Sequence, residues 1–202
     1  DLTSSSLPKS IVLHDAAPSR STYLVNAFEK RSLLQSFLEN ISQPFLPSTN
    51  YCGYFGHLYP GRGIEIIIQL ALSRPSITFL VVGGNPQQIN IIESPDNIIF
   101  IPSIPHSDAL YLMQLVDILL MPYQKSVSIA IKGHDTARWM SPMKMFEYMS
   151  SNNPIISSDL PVLREVLTHN YNCLLCTPDN TDDWLFALDR ICNDTSLAQT
   201  LS

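Results

Sequence analysis

Between residues 51 and 193 the chain alternates short runs of apolar, β-favouring residues with longer segments whose apolar positions recur at helical spacing. The strand-like runs fall at 51–56, 77–82, 97–101, 117–122, 155–158 and 172–176. Between or after them lie helical patterns at 63–73, 87–93, 107–116, 142–150, 161–167 and 181–193. A strand separated from the next by a helix returns as a parallel neighbour, and strands that are apolar almost throughout are buried on both faces. The pattern predicts an α/β fold, a doubly wound, Rossmann-like parallel sheet of six strands covered by helices on both sides.

Residues 1–48 stand outside that alternation. They begin Ser-rich, pass through a strand-like Ile11-Val12-Leu13-His14, carry a helical pattern at 22–41 and end in Leu46-Pro47-Ser48-Thr49-Asn50. This segment is expected to be the end of a preceding unit and a connector, with the α/β domain occupying 49–202. The chain lacks an initiator methionine and is expected to be an excised piece. A formal charge of -6 argues against broad binding to nucleic acid or an anionic membrane, so any anion site must be local. No apolar run is long enough to span a bilayer, and the first residues lack the basic and apolar regions of a signal peptide. The four cysteines, Cys52, Cys173, Cys176 and Cys192, have no second CxxC or histidine pair nearby and read as buried free thiols of a reducing compartment.

Ligands of such sheets sit beyond the carboxyl ends of the strands. The loop after the first strand, 56–63, holds Gly56, Gly61 and Gly63 with Arg62 among them, but not in the GxGxxG spacing of dinucleotide folds. Ser141 followed by Pro142 reads as a helix cap and first helical position. The amides of Met143, Lys144 and Met145 are then free at a positive helix end beside a lysine side chain, a seat for a phosphate. Glu147, one turn deeper on the same side, is an acceptor for hydroxyls. The helix is expected to stop at Ser151-Asn152-Asn153-Pro154, with Asn152 in the left-handed closing conformation. After the third strand, His106 or Ser107 is expected to cap the next helix. The long connection at 123–140 is either a flap over an anionic ligand or a plain surface loop.

Six segments in order carry a resemblance: Tyr54 to Glu65, Phe79 to Pro86, Ile104 to His106, Val116 to Tyr123, Ser141 to Met149 and Asp159 to Val166. Together they resemble the C-terminal, donor-binding domain of retaining GT-B glycosyltransferases, the group 1 enzymes of glycosyltransferase family four. The resemblance implies a nucleotide-diphospho-sugar donor clamped at the carboxyl edge of the sheet, facing an acceptor domain to which residues before 49 belong in part. It implies that Gly56 lies under the diphosphate and that Arg62 and Lys144 are the catalytic cations. Ser141, Pro142 and Met143 then meet the phosphates, Ile104 and Pro105 run along the base, and Glu147 holds the ribose hydroxyls. His57 stands where the family's loop arginine is usual, and Trp139 stands where the first of the family's two glutamates is usual. Two cations and helix-end amides can stabilise a leaving diphosphate electrostatically, and the sequence shows no DxD-like cluster, so the transfer is expected to be metal-independent.

The partners implied are the donor, a glycan or lipid-linked glycan acceptor, and the acceptor domain, without which this fragment is expected to be inactive. The setting implied is polysaccharide biosynthesis in the cytoplasm or at the inner face of the membrane. Two other readings fit the same residues: a nucleotide-sugar epimerase of the same architecture, and a non-catalytic nucleotide-binding module.

Overall fold

The computed structural model describes residues 27–84, 94–125 and 143–202. The stretches 1–26, 85–93 and 126–142 lie outside it, and with them the strand pattern at 11–14, the helix expected at 87–93, the long connection and the cap at Ser141 and Pro142.

Six strands form one sheet: β1 (Asn50–Phe55), β2 (Ile77–Val82), β3 (Ile98–Ile101), β4 (Ile118–Met121), β5 (Ile155–Ser158) and β6 (Leu174–Cys176). Their order is β3-β2-β1-β4-β5-β6, and every neighbouring pair is parallel. The helices are α1 (Ala27–Asn40), α2 (Ile64–Ser73), α3 (His106–Leu115), α4 (Met143–Met149), α5 (Thr181–Asn193) and α6 (Thr195–Thr200). Successive side chains of a strand point to opposite faces, so β1 divides its residues between two cores. Tyr51 and Phe55 pack with Leu34, Leu38, Leu112 and Met145 on one face. Cys52 and Tyr54 pack with Ile67, Leu70, Trp184 and Leu188 on the other. Both faces are therefore apolar, as the near-continuous strand runs require.

The strands lie within two residues of their expected bounds, and Asn152 closes α4 at φ 56 as expected. The helix expected at 161–167 does not form. Two turns that meet at Leu163 stand there, closed by Leu163 N and Arg164 N on Leu160 O at 3.0 and 3.1 Å and by Val166 N and Leu167 N on Leu163 O at 3.1 and 2.8 Å. A paired Asp159 and Arg164 bridge the segment from outside, while Leu160, Leu163 and Leu167 are drawn into the core. A helix not anticipated, α6, starts where the Asp194 carboxylate accepts from Leu197 N at 2.9 Å.

Helix α1, expected within a connector, also contributes two fully buried leucines to this domain, Leu34 and Leu38. It is pinned by Arg31, whose Nη2 donates to Asp117 Oδ2 at 3.0 Å, and by Lys30, whose Nζ donates to Asn153 Oδ1 at 2.7 Å. Asp117 Oδ2 also accepts from the backbone N–H of Tyr51 at 2.7 Å, tying helix and sheet to one carboxylate. Among the described residues no helix is long and apolar enough to cross a membrane.

Candidate functional site

The strand order reverses between β1 and β4. Chain connections run from β1 toward β2 on one side and from β4 toward β5 on the other, so the loops leaving these two strands part and open a crevice at the carboxyl edge. Both loops carry residues picked out above.

Glycine sets how closely these loops approach. Gly63 has φ 79, and a Cβ placed there would lie 1.8 Å from the carbonyl oxygen of Pro122, immediately after β4. Only a residue without a side chain fits. The two loops are further joined by Gln124 N donating to Gly61 O at 2.9 Å. Gly56, at φ 144, ends β1 with its N–H on Val82 O at 2.8 Å, and a Cβ there would lie 3.4 Å from Lys144 Nζ. The first loop and the start of α4 therefore meet.

Lys144 lies among three tyrosine rings. Its Nζ is 4.4 Å from the centroid of Tyr54, 4.6 Å from Tyr123 and 5.8 Å from Tyr148. The Arg62 guanidinium stands 5.1 Å from the centroid of the same Tyr123. Two cations, one from the β1 loop and one from α4, thus share a ring supplied by the β4 loop. Tyr54 donates its hydroxyl to His57 O at 2.8 Å, Tyr148 accepts from Phe55 N at 2.9 Å and donates to Leu120 O at 3.3 Å, and the Tyr123 hydroxyl is hydrogen-bonded to Arg62. Burial first, and the Arg62 charge second, hold the Lys144 ammonium well below the usual lysine pKa, with the Glu147 carboxylate opposing them. Burial pushes all three phenols up, so the rings stay neutral. A crowded pair of like charges of this kind is relieved by an anion placed between them.

Glu147 lies one helical turn beyond Lys144 and is largely covered, its side chain 15% exposed. Its Oε1 is 2.8 Å from Nε2 of His106. The expected capping role of His106 and Ser107 is therefore corrected. Helix α3 begins at His106 with Pro105 in the cap position and no side-chain cap, Ser107 Oγ donates to Asp108 Oδ1 at 3.2 Å, and the imidazole reaches α4 instead. Proline fixes the entry angle, leaving the histidine free to span elements.

Of the residues singled out from the sequence, Gly56, Arg62, Lys144 and Glu147 gather at this crevice. His57 is exposed and stacks on Tyr59 at 5.2 Å between centroids, and its carbonyl takes the Tyr54 hydroxyl. Ile104 is partly buried against the core, and the Pro105 carbonyl receives the N–H groups of Asp108 and Ala109 at the start of α3. Met143 opens α4 half exposed. Ser141 and Pro142 lie outside the described residues. The sequence reading missed the three tyrosines as a group. Their only signal was position, since Tyr54 falls near the end of a strand run, Tyr123 just beyond another, and Tyr148 one turn after Lys144.

Beside the crevice, Gly61, Glu65, Ile66, Gln124, Lys125 and Asp179 line a hollow of about 510 Å³, with Lys125 and Asp179 paired at 2.9 Å. Among the described residues no group of three or more His, Cys, Asp or Glu is placed to hold a metal ion. All four cysteines are free, and burial pushes the thiols of Cys173 and Cys176 up to about 12.

Residues 49–194 match the model of the family described as glycosyl transferases group 1, and the chain belongs to that family. TuaH of Bacillus subtilis (strain 168), whose name places it in teichuronic acid biosynthesis as a glycosyltransferase, is 28% identical over 114 residues, 54% of this chain and 26% of that protein. Among solved structures, Anabaena Alr3699/HepE in complex with UDP superposes with a TM-score of 0.65 at 18% identity, covering 85% of this chain and 45% of HepE. The C-terminal domain of the group 1 glycosyl transferase LpcC from Francisella tularensis superposes with a TM-score of 0.59 at 18% identity, covering 83% of this chain and 86% of that domain. The fold is thus that of a GT-B Rossmann-like domain, and the chain spans about half of HepE or less of TuaH.

Proposed function

We propose that this member of the group 1 glycosyl transferases is the donor-binding half of a GT-B enzyme that moves a sugar from a nucleotide-diphospho-sugar to an acceptor hydroxyl. The observation that carries the reading is the convergence of Arg62 and Lys144 on Tyr123, at the crevice where the sheet order reverses. As the bond between the sugar and the diphosphate breaks, negative charge grows on the departing oxygen. Two preorganised cations in a covered site stabilise that charge, an effect commonly worth several kcal/mol of barrier. In this reading they stand in for a divalent metal.

Gly56 lets the backbone approach the diphosphate without a side chain between them. Ser141, Pro142 and Met143 meet the phosphates, His57, Ile104 and Pro105 border the nucleotide, and Glu147 accepts from the ribose hydroxyls. UDP in HepE supports a nucleoside diphosphate as the leaving group. The name of TuaH supports polysaccharide biosynthesis as the setting, while a glycan or lipid-linked glycan acceptor and a place in the cytoplasm or at the inner face of the membrane rest on the motif resemblance. Retention of anomeric configuration and placement in glycosyltransferase family four rest on the motif resemblance. Because the chain spans only part of those relatives, transfer requires an acceptor domain beyond residues 49–202.

Calorimetry with UDP, GDP, ADP and dTDP tests the reading on this chain. One or more should bind below millimolar, and Arg62→Ala and Glu147→Ala should each weaken the best ligand about tenfold or more. No binding at millimolar ligand would leave a non-catalytic module in place of the transferase.

A further inference from the structure

The contact between His106 and Glu147 joins two helices through residues 41 positions apart in the chain, and stability does not account for it. The imidazole is 70% exposed, and a pair with one partner in water contributes little to folding. Its other partner is the carboxylate assigned above to the ribose. Glutamate has three side-chain torsions, and holding one of its oxygens removes most of that freedom before a ligand arrives. A neutral imidazole with its proton on Nε2 can also donate, so the contact does not require protonation. Among the described residues the charged group that acts on Glu147 electrostatically is Lys144 on α4.

We infer that His106 is a positioning residue: it holds Oε1 of Glu147 so that Oε2 is left, in a fixed direction, to accept a ribose hydroxyl of the donor. This rests on the donor-binding reading above. A bound nucleotide then gains from a carboxylate already ordered, while a ligand consisting of phosphates alone gains nothing from His106. The distinction separates positioning from general structural support, and also from a latch in which His106 must be displaced by the donor.

The test measures binding of the best ribonucleoside diphosphate from UDP, GDP and ADP, and of inorganic pyrophosphate, to the 202-residue chain and to His106→Ala, His106→Gln, Glu147→Ala and the double variant His106→Ala/Glu147→Ala. His106→Ala should weaken the nucleotide about three- to tenfold and leave pyrophosphate unchanged, and His106→Gln, which keeps a donor, should recover most of the loss. In the Glu147→Ala background the same replacement should have no further effect. Equal loss for pyrophosphate, unchanged or tighter nucleotide binding in His106→Ala, or full additivity in the double variant would overturn the inference while the donor site stands. Failure of the unaltered chain to bind any nucleotide would remove the donor reading itself, and the inference with it.

Discussion

Lys144 offers the sharpest separation of stability from function. In Lys144→Met the aliphatic stem is kept and the ammonium that Tyr54, Tyr123 and Tyr148 surround is removed. A cation facing aromatic rings is worth about 0.5–2 kcal/mol, but this one lies beside Arg62 in surroundings that disfavour its charge. Replacing such a group with an apolar one of similar shape is commonly neutral or stabilising by about 1–4 kcal/mol. The variant should therefore unfold at the same or a higher urea concentration at pH 7. A charge-assisted bond to a phosphate contributes about 1.5–3 kcal/mol, so affinity for a nucleoside diphosphate should fall about 10- to 150-fold.

The sign of the pH dependence follows from the depressed pKa. Below the folded-state pKa both folded and unfolded chains carry the proton, and the fold bears the full cost of the charge. Between that pKa and the usual lysine value the unfolded chain binds more protons, so stability from this group rises with pH. Wild-type protein should gain stability relative to Lys144→Met across this window, and an anion that favours the charged amine should, at pH values within it, bind with proton uptake, seen as a buffer-dependent heat. Nucleotide affinity within about threefold of wild type, or a loss of more than about 2 kcal/mol in urea unfolding at pH 7, would refute the reasoning.

Two further changes probe the framework that brings the cations together. Gly63→Ala places a methyl on the Pro122 carbonyl and holds alanine at φ 79, so a loss of about 2–4 kcal/mol is expected in denaturant unfolding, with weaker nucleotide binding as Arg62 moves. Asp117→Ala leaves the N–H of the buried Tyr51 without its acceptor and unpins Arg31, costing about 1–3 kcal/mol, and limited proteolysis should cut α1 sooner than in wild type.

Much of the site was legible because its parts obey local rules. Glycines at 56, 61 and 63 marked a close approach, and the lysine and glutamate one turn apart marked one side of a helix. His106 was misread for an equally local reason. A polar residue before a helical pattern resembles a cap, and nothing along the chain announces a carboxylate 41 positions away. The segment 161–167 was misread because helical spacing of leucines also suits two turns that bury the same side chains. Local pattern cannot separate these when an ion pair spans the stretch.

The sequence by itself determined the six strands to within two residues, the burial of both sheet faces and the closing of α4 at Asn152, since these follow from side-chain period and backbone freedom within a few neighbours. Tertiary structure alone decided that β1 and β4 lie side by side, that Tyr123 is shared by Arg62 and Lys144, and that α1 docks through Arg31 and Asp117, 86 residues apart. Those relations depend on which strands pair, a choice made by the packing of the whole sheet. No short stretch of the chain contains it.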